Sequence, residues 1–255
     1  LDYTDETDLF NTINTTPKRL PKALVEWNRY GITSEGTADH DQDIRQIAVA
    51  LATDPESVWF DQVNLTGTGR EPGRPVTLEG LRRSTENMLK AGGLKYLNFE
   101  RQLQLVNAYW NAVAETFPDA WGDVQPVVQM SDGTMAEAGA EVEVDGQKVK
   151  IPRVTYRIKE LVGVASLAKI GGDILAEALG SARPMEYIQD EVEKLAEVDW
   201  LKSDKNPWVR SQAGFAGQKE LYEALAYLRA HGVAPWPDGG KLLTDDPDED
   251  YRDDD

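Results

Sequence analysis

The sequence predicts a mainly helical chain with a small antiparallel β-hairpin, an α+β architecture in which helices form the body. Three observations carry this expectation. Apolar residues recur at helical spacing in several segments bounded by Gly or Pro. Asp145-Gly146 sits between two short alternating runs, and both central positions of the tight two-residue turn favour that pair. The stretch LVGVASLAKIGGDILAEALG is apolar on nearly all sides, which only a centrally buried helix tolerates.

In chain order, Thr16 caps a first helix with Pro17 at its first position, Leu20, Leu24 and Trp27 on one face, and Gly31 at its end. A second helix starts in DHDQD and turns Ile44, Ile47, Ala48 and Leu51 inward. A third runs from Thr77 through Leu78, Leu81 and Met88 to the Gly92-Gly93 stop. In the fourth, NFERQLQLVNAYWNAVAETF, one face holds Leu103, Val106, Trp110, Val113 and Phe117, and Pro118 ends it. The hairpin, EVEVDGQKVKIPRVTYRI, then pairs Glu143 with Lys148, Glu141 with Lys150 and Val142 with Val149 about its turn. The apolar helix follows, where Gly163 and Gly171 let neighbours approach closely. PMEYIQDEVEKLAEV and GQKELYEALAYLRAHG add two amphipathic helices around the Trp-bearing loop DWLKSDKNPWVRSQ. The whole is read as one domain over residues 1–243, divisible into 1–93 and 94–243, with a solvated acidic tail over 244–255.

The net charge is −18, with 24 Asp, 21 Glu and only 13 Lys, and the tail TDDPDEDYRDDD holds eight carboxylates against Arg252. Dense carboxylates with few lysines suit a surface that stays hydrated in molar salt, where the Debye length is about 3 Å. The expected setting is a high-salt, haloarchaeal cytosol. No run is long and apolar enough for a transmembrane helix, so no membrane partner is expected. The absence of cysteine removes disulfides, thiolate nucleophiles and Cys-ligated zinc from these residues. With only His40 and His231, a histidine-rich catalytic or metal centre is not expected, and neither catalytic residues nor a cofactor are assigned.

Several motifs are better read as structure than as chemistry. Asp39, His40, Asp41 and Asp43 suit a helix's first turn, whose dipole favours acids, and they lack calcium-loop spacing. GFAGQK precedes a helix without the glycine spacing or the Ser/Thr of a P-loop. Two basic patches stand out against the acidic background. Arg70, Arg74, Arg82 and Arg83 cluster in and after a glycine-rich loop. Between Gly146 and Lys159 lie Lys148, Lys150, Arg153, Arg157 and Lys159 with no acid, Arg153 and Arg157 sharing a strand face with Thr155. Phosphate contact is one use of such groups. Pairing with the chain's own carboxylates is the other.

The order of segments resembles the later part of proteins of the DGQHR-domain family, which includes the DndB-like proteins of DNA phosphorothioation systems. The matching residues are LFNTINTTPKRL, IAVALATDPESVWFDQV, LRRSTENM, LVNAYWNAVAETFPDAWG and DW…NPWV, spread over most of residues 5–230. The Asp-Gly-Gln-His-Arg signature is absent; Asp145-Gly146-Gln147-Lys148 lacks its His and Arg. The resemblance implies a helical C-terminal part of that fold, with a ParB-like, nucleotide-handling region expected upstream of Leu1. It implies DNA and the proteins of a modification or defence system as partners, and an accessory or regulatory role. Asn11, Asn14, Thr15 and Lys18 would border the upstream site through hydrogen bonds and charge. A nucleotide hydrolase or nuclease centred upstream, and a helical protein-interaction scaffold, are the alternatives.

Overall fold

The helix that is apolar on nearly all sides lies at the centre of the molecule. The structure, a computed structural model, describes residues 40–65, 73–91, 93–130, 133–144, 147–203, 205–209 and 214–236. The helix expected from Pro17 and the acidic tail lie outside them. Among the described residues are seven α-helices and six short strands. In order these are α1 (His40–Thr53), β1 (Val63–Asn64), β2 (Val76–Thr77), α2 (Leu78–Leu89), α3 (Phe99–Thr116) and α4 (Pro118–Gly122). There follow β3 (Val127–Gln129), β4 (Met135–Glu137), β5 (Glu141–Val144), β6 (Gln147–Lys150), α5 (Leu161–Ala178), α6 (Pro184–Glu193) and α7 (Phe215–His231). The chain is mainly helical α+β, as its periodicities predict. No helix among the described residues is long and apolar enough to cross a membrane.

α5 packs against α2, α7, α6 and α3. Its glycines permit that crowding. A Cβ on Gly171 would lie 2.7 Å from the Tyr109 ring, and one on Gly172 2.8 Å from the Met88 carbonyl oxygen. Tyr109 also donates its hydroxyl to the Leu167 carbonyl at 2.5 Å, joining α3 to α5, and its burial raises its pKa far above the usual tyrosine value. One apolar cluster extends from Ile44 on α1 to Trp236 beyond α7. The aromatic part centres on Trp110, whose ring meets Trp59 edge-on at 5.1 Å and Tyr109 at 5.3 Å.

The caps follow the local sequence. Thr77 accepts from the Gly80 amide at 3.1 Å to start α2, and Asn98 accepts from the Arg101 amide at 2.9 Å to start α3. Thr77→Ala, which leaves that amide without its partner, is expected to cost about 1 kcal/mol in chemical unfolding. An unchanged midpoint would mean that water replaces the cap.

The hairpin has the expected register, with Glu141 opposite Lys150, Val142 opposite Val149 and Glu143 opposite Lys148. It is not alone. β3 and β4 form a second antiparallel ribbon, and β1 and β2 a two-residue parallel pair. Asp132-Gly133, between VVQM and TMAE, is the sequence signal for that second turn. The ribbons join at their roots, where Gly139 and Ile151 bond across at 3.0 Å and Ala138 donates to Pro126 at 2.9 Å.

Two local expectations are corrected, and one is extended. On α3 the buried arc is Gln102, Leu105, Val106, Tyr109, Trp110 and Val113, leaving Leu103 half-buried on the flank. Gln102 belongs inside because its amide donates to the Leu94 and Leu97 carbonyls, both at 3.1 Å. α3 ends at Thr116, just before Pro118 as the sequence predicts, and a second short helix follows at once. The chain turns at Phe117, and Pro118 opens α4, since an amide lacking N–H costs nothing at a helix's first position. α6 ends at Glu193, and the Lys-Leu-Ala-Glu that follows (194–197) forms a turn.

Candidate anion-binding surface

Two aspartates take up left-handed backbone, Asp61 at φ 59° after the α1 turn and Asp123 at φ 53° after α4. Asp tolerates this conformation better than most residues, yet it carries strain, and such positions collect where structure is held for a purpose. Between these two loops lies Lys159, immediately before α5. Its Nζ donates to Gln62 Oε1 at 2.9 Å and lies 5.6 Å from the centre of the Trp121 ring. Burial lowers the Lys159 pKa below the usual lysine value, opposed by the Asp123 carboxylate. Among the described residues no carboxylate stands within ion-pair distance of this amine.

The same loops hold two arginines. Arg74 pairs with Asp61 at 2.5 Å, and Arg153 with Asp123 at 3.6 Å. Arg74 comes from the first basic patch, Arg153 and Lys159 from the second. One residue of the first patch and two of the second are thus tied to the two loops, Asp61–Gln62 and Trp121–Asp123, that flank the Lys159 amine. The two arginine pairs are exposed, and exposed pairs contribute only about 0–1 kcal/mol, so another anion can displace their carboxylates at little cost.

The remaining basic residues are placed differently. Arg82 has only 14% of its side chain exposed and lies 2.8 Å from Glu79 and 3.1 Å from Glu86; bonding to Glu79 is the main reason its pKa is raised. Arg83 is exposed and reaches Glu79 at 2.7 Å. Arg157 does not share a strand face with Arg153 and Thr155, because residues 152–155 form no strand. It turns inward, is 10% exposed, donates to the Val209 carbonyl and lies 3.6 Å from Glu160. Lys148 and Lys150 lie on the exposed strand β6, on the same ribbon face as Glu141 and Glu143, with Lys148 3.3 Å from Glu141. Arg70, Asn11, Asn14, Thr15 and Lys18 lie outside the described residues.

Gln62 and the two strained aspartates were not singled out in the sequence, and Lys159 stood there only as one of five bases. The available signal was Asp within FDQV and WGDV, a residue that accepts left-handed backbone. GFAGQK is simply the start of α7, and Lys219 reaches Glu223 at 3.3 Å. His231 stacks on Tyr227 with ring centres 4.2 Å apart. Among the described residues no group of three or more His, Asp and Glu is arranged to hold a metal ion. No family model, curated protein or solved structure matches the chain.

Proposed function

We propose that this chain is a DNA-associated accessory or regulatory module of a DNA modification or defence system, gripping the sugar-phosphate backbone without reading bases. The observation that carries the proposal is the Lys159 amine, half-buried on Trp121 and, among the described residues, hydrogen-bonded to the neutral Gln62 amide without a carboxylate at ion-pair distance. A phosphate oxygen supplies the charge partner that this amine lacks. Arg74 and Arg153 flank it and exchange their exposed carboxylates for neighbouring phosphates. The DGQHR-like order of segments supplies the setting. The role is association, and any nucleotide belongs to the upstream region that the resemblance implies.

The test is duplex binding by fluorescence anisotropy over a range of potassium chloride concentrations that preserve the fold. Lys159→Gln removes one phosphate contact and keeps a hydrogen-bonding side chain. It is expected to weaken binding about tenfold, uniformly across duplex sequences, and to reduce the salt slope by about one. Arg83→Glu is expected to weaken binding less, and Arg82→Glu to destabilise α2 through loss of two internal pairs. Wild-type affinity in Lys159→Gln, or no duplex binding at any tolerated salt, overturns the proposal.

A second reading, a protein-interaction scaffold, is favoured by the ribbon β3–β4. One face carries Val127 and Met135, 61% and 62% exposed, beside strand edges that are unpaired among the described residues. Exposed apolar edges of this kind suit strand addition by a partner chain. A stable protein partner in a native pull-down, without salt-dependent DNA retention, would select this reading.

A further inference from the structure

The Lys159 amine is set apart from the chain's ion-paired lysines. Lys90, Lys194 and Lys202 lie against the carboxylates of Glu86, Glu191 and Glu160 at 2.7, 2.6 and 2.7 Å. An amine attacks a carbonyl carbon through the lone pair of its neutral form, and a carboxylate in contact stabilises the charged form instead. Lys159 donates to the uncharged Gln62 Oε1 at 2.9 Å, beside the Trp121 ring, and no carboxylate of the described residues reaches ion-pair distance. A neutral amine so placed gives one N–H to Gln62 and keeps its lone pair free. Burial lowers its pKa, and the Asp123 charge only partly opposes this. The side chain is half-buried, not enclosed. Asp61 and Asp123, on the loops at either side, hold Arg74 and Arg153 in exposed pairs.

We propose that Lys159 is a site of covalent acylation by an acyl phosphate, and that acylation releases the chain from DNA. The modification stands on the contacts of Lys159 itself; its effect on DNA rests on the function proposed above. Two features favour an acyl phosphate as the donor. Its carbonyl carbon bears a good leaving group, and its phosphate carries the negative charge that the arginines on the adjoining loops attract. The Nζ lone pair attacks that carbon, the N–C bond forms, and the bond from the carbon to the oxygen shared with phosphorus breaks. Inorganic phosphate departs with the bonding electron pair, and the surplus amine proton passes to water. Nothing is oxidised or reduced. The resulting amide keeps one N–H for Gln62 but carries no charge, so the phosphate contact that Lys159 offers is lost.

The whole chain is treated with acetyl phosphate in potassium chloride that preserves the fold, and acetyl occupancy at each lysine is followed by peptide mass spectrometry. Lys159 is expected to react about fivefold or more faster than Lys90 or Lys202 of the same chain. That lead is expected to vanish in urea, where burial and the Gln62 contact are lost. Gln62→Glu sets a carboxylate against the amine and is expected to slow Lys159 severalfold without slowing Lys90. Gln62→Met, similar in length and uncharged, is expected to leave Lys159 ahead. Circular dichroism shows whether each variant folds, and the comparison of Lys159 with Lys90 inside the unaltered chain stays decisive if either does not. In parallel, duplex affinity by anisotropy is expected to fall about tenfold as Lys159 occupancy approaches completion. Lys159 reacting no faster than Lys90, a lead that survives urea, or Gln62→Glu at the parental rate overturns the acylation, whatever the DNA result. Fast acylation with unchanged affinity overturns the release. Fast acylation in a chain that binds no duplex upholds the modification and counts against the proposed function alone.

Discussion

Trp110→Ala is expected to lower the unfolding free energy by about 3–5 kcal/mol. Trp110 is fully buried, with Trp59, Tyr109 and Trp121 rings at 5.1, 5.3 and 6.2 Å. Truncation leaves a cavity between rigid rings that cannot collapse into it, so the transfer and cavity costs both apply. The Trp110 indole N–H, however, has no hydrogen-bond partner. Trp110→Phe removes that unsatisfied donor together with part of the volume, and is expected to cost less than half as much. Chemical unfolding of both variants at fixed salt checks the pair. An alanine variant within about 1 kcal/mol of the parent would mean that the cluster is not a packed core.

Gly163→Ala is expected to destabilise by about 3 kcal/mol, towards the upper end for overpacked sites. Helix propensity alone predicts the reverse, since alanine is favoured over glycine inside a helix by about 1 kcal/mol. Tertiary packing decides the sign. A Cβ at position 163 would stand 2.4 Å from the Arg157 carbonyl oxygen and 2.7 Å from that of Ile158. Both are backbone atoms of the segment leading into α5, and no side-chain rotation relieves them. The segment would have to move, and Lys159 with it, so duplex binding is expected to weaken together with stability. Gly180→Ala is the control, because its Cβ would meet only the Glu177 oxygen at an ordinary 3.5 Å. A stabilised Gly163→Ala would show that the approach to α5 is loose.

Much of the body was legible from neighbouring residues. The apolar run 161–178 became the central helix because no face of it carried enough polar residues to meet water. The hairpin register followed from Asp145-Gly146 and the Glu-Lys alternation, all within ten residues. Caps at Thr77 and Asn98 were equally local. The second ribbon has its own Asp-Gly signal, but its strands are three residues long, too short to show an alternating pattern. The parallel pair of β1 and β2, at two residues each, carries no periodicity to detect.

The charged residues were not legible in this way. With 45 carboxylates in the chain, every arginine has many possible partners, and composition cannot choose among them. Packing chose. Arg82 was bound to Glu79 and Glu86 on its own helix, and Arg157 was drawn inward to the Val209 carbonyl. Lys159 was carried to Gln62, 97 positions away in the chain, with no carboxylate at ion-pair distance among the described residues. Secondary structure rests on interactions spanning a few residues, which the order of amino acids specifies directly. The electrostatics of a surface depend on which distant segments come within a few ångströms, and that follows from how the apolar faces pack.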